Sequence, residues 1–198
     1  MLTFYYADVS RLDLSAAYAL SDYRRECIIK LRFDENKRES LGAELLMNIA
    51  LSEYCPELPL PVEICCGEFG KPEIVGCPLF LNLSHSRGFA VCAISDNIVG
   101  VDIQYREAHS DSIAKRFFAP DEQAYIAASD DPVAAFSDIW CMKESYVKAL
   151  GTGLNTPFAL FSVMEDRTIW HTRLGLYHIA VCTPDKKFPH PEMREIRF

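Results

Sequence analysis

The stretch FAVCAISDNIVGVDIQ (89–104) decides the fold class. Two runs of β-formers, FAVCAIS (89–95) and IVGVDIQ (98–104), flank the turn formers Asp96 and Asn97, a pattern that predicts a β-hairpin. Side chains alternate faces along a strand. Val99, Val101 and Ile103 therefore share one face, while Gly100, Asp102 and Gln104 share the other, with Gly100 expected to leave open space beside Asp102. Read by themselves, Asp102 and Gln104 are the water-facing side of a sheet.

Upstream of this stretch, FYYADV (4–9), VEICC (62–66) and LFLNLS (79–84) are also β-like. Asp34 is placed to N-cap a helix running to about Tyr54, with Leu41, Leu45 and Ile49 on one face. Pro56, Pro59 and Pro61 then break the chain. Downstream the pattern turns helical, with short segments at Ser112–Phe118 and from Pro120. The strongest helix spans Pro132–Leu150, with Asp131 as N-cap, Pro132 as first residue and Gly151 as the stop. The tail returns to β-like runs near 158–164 and 176–182. AVCAISD (90–96) and AVCTPD (180–185) form a faint internal echo. The mixture is α+β.

Bulk properties narrow the function. The 198 residues are 49% hydrophobic, enough for a real core, and the net charge is −8. An acidic chain is a poor general nucleic-acid binder, since that affinity comes from neutralising phosphates with Lys and Arg. No transmembrane run of roughly 20 apolar residues is present, and the first ten residues do not read as an export signal, so a cytoplasmic location is expected. The eight cysteines lack CxxC spacing, and Cys92 and Cys182 lie in apolar runs, so they are read as free thiols. The five histidines show no zinc-ligand spacing.

Five local clusters carry polar chemistry. On the long helix, Trp140, Glu144 and Lys148 lie at i, i+4 and i+8, away from the core positions Ile139, Met142, Tyr146 and Ala149. An exposed Glu–Lys pair contributes only roughly 0.3–0.5 kcal/mol; a large aromatic on the same face points instead to a cleft wall. NLSHSR (82–87) is either an ordinary turn or a strand end able to hold a phosphate. EFGKP (68–72) is unremarkable in isolation. Arg24, Arg25, Lys30, Arg32, Lys37 and Arg38 form a basic stretch, usually a solvated face. GTGLNT (151–156) follows a helix, so it is a C-cap and turn and not a phosphate loop.

The order of these clusters is more specific than any one of them. EFGKP (68–72), LNLSHS (81–86), VGVDIQ (99–104) and IWCMKESYVKALGTGL (139–154), with FDENKRESLGAELL (33–46) and AKRFFAPDE (114–122), resemble the Sfp-type 4′-phosphopantetheinyl transferases. The resemblance covers roughly residues 24–165. It implies two similar α+β lobes related by a pseudo-twofold, here 1–100 and 101–198, packed as one monomeric body with the active site in the cleft between them. It implies transfer of the 4′-phosphopantetheine arm of CoA to a serine of an acyl- or peptidyl-carrier protein, with Mg²⁺ required and 3′,5′-ADP released. By position, Asp102 and Glu144 match the metal-binding carboxylates, and Lys148 the lysine near the reacting phosphate. Glu144 is also placed by this analogy as the base that activates the serine. Ser84, His85 and Lys71 match CoA contacts, and Arg38, with Arg25 beside it, the group near the adenosine 3′-phosphate. Gln104 stands where many members have a second carboxylate; its amide oxygen can still serve Mg²⁺, at the cost of one charge.

Carrier proteins are usually acidic, so this acidic chain needs a local docking patch. Phe117, Phe118 and Tyr125 with Lys115 and Arg116 are read equally as that patch or as core of short helices. Three rivals remain at this stage. A non-catalytic CoA- or carrier-binding relic is favoured by Gln104 alone. A nucleotide-binding transferase or kinase would need a glycine-rich strand-to-helix loop, and none is visible. A pure interaction module leaves the ordered motifs unexplained.

Overall fold

A computed structural model of the chain describes residues 1–66, 72–108, 111–187 and 189–198. Its strands are β1 (Leu2–Asp8), β2 (Ile64–Cys66), β3 (Pro72–Ile74), β4 (Phe80–Ser86), β5 (Phe89–Ser95), β6 (Gly100–Tyr105), β7 (Ile169–Leu174), β8 (Tyr177–Cys182) and β9 (Glu192–Glu195). Its α-helices are α1 (Asp22–Ile29), α2 (Asp34–Tyr54), α3 (Asp111–Phe117), α4 (Pro120–Ala128) and α5 (Pro132–Leu150). The fold is α+β, as the sequence predicts.

The strands form a sheet ordered β4-β5-β1-β9, a second ordered β6-β8-β7, and a β2–β3 ribbon. Alternation along the strands builds three apolar layers. Tyr5, Ala7, Ala90, Cys92 and Ile94 face α2. Phe4, Val91 and Ala93 face the other way, and meet Val99, Val101 and Ile103 of β6 and Ile179 and Val181 of β8. The opposite side of the second sheet, with Ala180 and Cys182, packs on Ile139, Met142 and Ala149 of α5. From one side to the other the layers run α2, first sheet, second sheet, α5.

The expected 89–104 hairpin does not form. β5 is an interior strand, paired antiparallel with β1 and β4, while β6 leaves for the second sheet and pairs with β8. The hairpin partner of β5 is β4. Arg87 and Gly88 turn that corner at φ 47° and 83°, the left-handed pair that a tight two-residue hairpin requires. Both AVC segments lie on strands with a partner on either side, β5 and β8.

The two sheets meet along a seam between the edge strands β4 and β6. Asn82 Oδ1 accepts the Val101 N–H at 2.8 Å, Ser84 Oγ that of Ile103 at 3.4 Å, and Ser86 Oγ that of Tyr105 at 3.0 Å. Every second side chain of NLSHS thus satisfies one free donor of β6, which would otherwise be an open sheet edge.

Several element expectations are corrected. Asp34 is the first residue of α2 and does not cap it; Phe33 is the N-cap, and Asp34 pairs with Lys37 one turn on. The basic stretch contains α1, capped by Ser21. Residues 158–164 hold a 3-10 turn at Phe158–Leu160 and no strand; Lys143 takes the Phe158 and Phe161 carbonyls and Glu122 the Val163 N–H. The last strand, β9, returns to the first sheet and runs parallel to β1. α5 matches expectation, including the left-handed Gly151 at its end. No described helix is long and apolar enough to cross a membrane. Phe118 is core, Phe117 is half-buried, and Tyr125, Lys115 and Arg116 are exposed, so the carrier-docking candidates divide between the two readings.

Candidate active site

A cavity of about 450 Å³ lies above the β4–β6 seam, between α2 and α5. Leu83, Ser84 and His85 of β4 and Asp102, Ile103 and Gln104 of β6 form its floor. Ser40, Ala43 and Glu44 of α2, with Arg24 of α1, form one wall. Trp140, Glu144 and Lys148 of α5 form the other, one residue per turn as their spacing predicts.

Asp102 is held from three sides. It is 5% exposed, its Oδ1 accepts Ser84 Oγ–H at 2.8 Å, and Lys148 Nζ donates both to that oxygen at 2.5 Å and to Ser84 Oγ at 2.9 Å. Cys141 donates its thiol to the Asp102 carbonyl. Gly100 does not leave open space. A Cβ there would stand 2.1 Å from the Ser145 carbonyl oxygen and 2.3 Å from the Ala149 nitrogen. The glycine lets α5 lie directly on β6, and this close approach brings Glu144 and Lys148 over Asp102.

Glu144 has no such partners at hydrogen-bond distance among the described contacts. Burial pushes its carboxyl above the ordinary range, and the negative charge of Asp102 adds to the effect, with Lys148 opposing. Two carboxylates thus converge on one site with one lysine between them. Hard oxygen donors, Asp102 and Glu144 with the Gln104 amide at the rim, fit a divalent cation such as Mg²⁺. Gln104 Nε2 donates to the Tyr105 carbonyl at 3.2 Å.

Of the residues singled out from the sequence, Asp102, Glu144, Lys148, Gln104, Ser84 and His85 line this one cleft. Ser84 is 7% exposed and bonded to both Asp102 and Lys148, so it orients those groups. Arg38 does not line the cavity; its Nε donates to the Leu12 carbonyl at 3.1 Å. Arg25 does not either; it pairs with Asp22 at 2.7 Å and lies over the Tyr18 ring. Lys71 lies outside the described residues.

Two charged residues of the cavity lining, and a third behind it, were given no site role by the sequence reading. Arg24 pairs with Glu44 across α1 and α2. Its Nε is buried and has no hydrogen-bond partner among the described residues. Burial pushes the Glu44 carboxyl up despite Arg24. Glu39, just behind the wall, bonds His85. Helical spacing was the available signal, since residues 40 and 44 share the stripe of α2 beside 39 and 43. Trp140 packs edge-on against Phe117, stacked on Phe136 and tilted against Phe118 and Phe158, which explains an aromatic beside Glu144 and Lys148.

Comparison with known proteins gives the family. Residues 98–182 match the model of the 4′-phosphopantetheinyl transferase superfamily, a span that contains β6 and α5 with Asp102, Glu144 and Lys148. The chain is 31% identical over 189 residues to the 4′-phosphopantetheinyl transferase ffp of Bacillus subtilis, covering 86% of this chain and 84% of that one. It is 34% identical over 151 residues to the 4′-phosphopantetheinyl transferase AcpT of Salmonella typhimurium, covering 73% and 75%. A further 4′-phosphopantetheinyl transferase of Bacillus subtilis is 33% identical over 148 residues, and there the chain spans 66% of the relative's length, just under two thirds. The holo-[acyl-carrier-protein] synthase structure of Thermotoga maritima aligns at 20% identity and a TM-score of 0.37, over 42% of this chain and 60% of that one. The chain belongs to the 4′-phosphopantetheinyl transferase superfamily.

Proposed function

We propose that this chain is an enzyme that transfers the 4′-phosphopantetheine arm of CoA to a serine of an acyl- or peptidyl-carrier protein, releasing 3′,5′-ADP. One observation carries the reading: Asp102 on the floor and Glu144 and Lys148 on the α5 wall converge in one cleft of about 450 Å³. Relatives named 4′-phosphopantetheinyl transferases support it.

In this reading Asp102, Glu144 and the Gln104 amide hold Mg²⁺, which when bound neutralises the CoA pyrophosphate and stabilises charge on the leaving group. Lys148 supplies a fixed positive charge at the β-phosphate, held in place by Asp102 and Ser84. The carrier serine attacks the β-phosphorus in line, and Glu144 accepts its proton; a carboxyl raised by burial is a stronger base than an exposed one. The P–O bond to the 3′,5′-ADP portion breaks, with Lys148 neutralising the departing phosphate. Ser84 and His85 contact the CoA phosphates. Arg24 serves on the far wall, and Arg25, Arg38 and Lys71 are the further candidates for CoA contacts.

The two sheets and their helices correspond in this reading to two pseudo-twofold lobes, residues 1–100 and 101–198, with β9 returned to the first. The enzyme acts as a cytoplasmic monomer whose partners are CoA and the carrier, with no nucleic acid or membrane.

The test is intact mass spectrometry of apo-carrier proteins incubated with this chain, CoA and Mg²⁺. A gain of one phosphopantetheine, lost with EDTA and in Glu144→Ala, is expected. CoA binding without any gain across a broad carrier panel would replace the transferase by a non-catalytic binding protein, with Gln104 as the first suspect.

A further inference from the structure

The α2 wall carries a buried acid that the transfer reaction does not use. Glu39 is 6% exposed, and both its carboxylate oxygens are engaged. Oε1 accepts the Gly88 N–H at 2.7 Å, and Oε2 lies 2.9 Å from His85 Nδ1. Gly88 is in the tight β4–β5 turn, so Glu39 clamps that turn and the end of β4 to α2. Burial pushes the Glu39 carboxyl up, but the hydrogen bonds from His85 and Gly88 outweigh it and hold the group below its ordinary range.

An ionised carboxylate can only accept hydrogen bonds. His85 Nδ1 must therefore carry the hydrogen, which leaves Nε2 on the other edge of a ring that lines the cleft and is 40% exposed at its side chain. A neutral ring of this tautomer presents a bare lone pair at Nε2 and repels an anion. A ring that takes up a proton there presents an N–H and a positive charge, with Glu39 as built-in counter-ion. We propose that Glu39 makes His85 a proton-coupled anion donor, so that an anionic group entering the α2 side of the cleft binds with uptake of one proton at His85 Nε2.

This rests on the preceding section for the identity of the anion, a CoA phosphate. Glu44 of α2 and Arg24 of α1 line this side of the cleft, with Glu39 of α2 behind the wall and Arg87 of the β4–β5 turn, itself paired with Glu107, near Glu39. Asp102 of β6 and Glu144 and Lys148 of α5 face it from across the floor. Of these, Glu39 is in hydrogen-bond contact with the ring. Glu39 is a positioning residue: it acts on the anion through His85.

Two measurements test the proposal. Long-range proton–nitrogen NMR of the His85 ring at alkaline pH reads the tautomer directly in the unaltered protein. The Nδ1–H form is expected, and the Nε2–H form would overturn the proposal. Calorimetry of 3′,5′-ADP binding in two buffers of different ionisation enthalpy counts protons. The wild type is expected to take up more protons on binding than Glu39→Gln. In that variant the amide donates to Nδ1 and leaves a neutral Nε2–H, so no proton is needed. His85→Gln offers an N–H without titrating and is expected to bind with the lower count. Equal counts in wild type and both variants would sink the idea. If 3′,5′-ADP failed to bind the wild type, the CoA reading would fall; the same count with inorganic pyrophosphate, and the tautomer, would still decide the Glu39–His85 pair.

Discussion

Glu144 and Lys148 sit one turn apart on α5 and pull in opposite directions on Asp102. Lys148 satisfies it, whereas Glu144 is pushed above the ordinary carboxyl range by burial and by the Asp102 charge. The consequence for stability has a definite sign. A carboxyl raised in the folded state binds its proton to higher pH there than in the unfolded chain. Stability is therefore lost as pH rises from the ordinary carboxyl range through the raised value, and ionised Glu144 destabilises the fold at neutral pH. Glu144→Gln should unfold at a higher urea concentration than wild type at neutral pH, with the gap closing as pH falls, while transfer is lost. Matching midpoints at neutral pH would mean that the Asp102–Glu144 repulsion is already relieved. Lys148→Ala removes a preorganised charge, and kcat should fall by roughly 10²–10³-fold, about 3–4 kcal/mol. Near-normal turnover would remove Lys148 from the reaction. These residues were legible because their spacing on one helix and one strand is local information. Arg24 and Glu39 were not. Six basic residues share the 24–38 stretch, and the turn of α1 and α2 against β4 selects which one enters the cleft.

Element placement depends on contacts that no local pattern records. α5 was legible from end to end because Asp131, Pro132 and Gly151 act on their own backbone. The 89–104 segment was misread because a strand's partner is chosen by the whole sheet: β5 and β6 are near neighbours in sequence and belong to different sheets. The contact between β6 and α5 shows what such placement does for the site. Gly100→Ala would put a methyl group against the Ser145 carbonyl and Ala149 nitrogen, both backbone atoms of α5. The helix must shift, at a cost of roughly 1–3 kcal/mol. Glu144 and Lys148 move with it, so turnover should fall further than the stability loss accounts for; a folded variant with unchanged kcat would show that the helix position is not critical. On a different face of that helix, Lys143 is fully buried against Glu122 at 2.9 Å and donates to the Phe158 and Phe161 carbonyls at 2.7 and 2.5 Å. Burial pushes its ammonium down, and Glu122 opposes this. Lys143→Met strands Glu122 and two carbonyls, and urea denaturation should show a loss of roughly 3–5 kcal/mol. The lysine of the WxxKE pattern thus fixes the loop behind Trp140 and takes no part in the cleft.

At the scale of the whole molecule, the two sheets share an apolar layer besides the one each makes with its own helix. Phe4, Val91 and Ala93 of the first share one apolar layer with Val101, Ile103, Ile179 and Val181 of the second. Asn82, Ser84 and Ser86 bond across the seam, and β9 carries the end of the chain back to β1. Exposing either sheet would strip the inner face of the other and leave three β6 donors unpaired, so neither half has a favourable state of its own. The cleft, built on that seam, exists only while both are in place. Unfolding should be a single cooperative transition. Both tryptophans, Trp140 and Trp170, lie on α5 and β7, so their fluorescence follows the second sheet, while amide exchange of β5 follows the first. The two probes should give the same midpoint and the same denaturant slope. An earlier midpoint for one of them would show that the halves unfold separately, and would make the Asp102–Lys148 site, which needs Ser84 of the first sheet, the first structure to be lost.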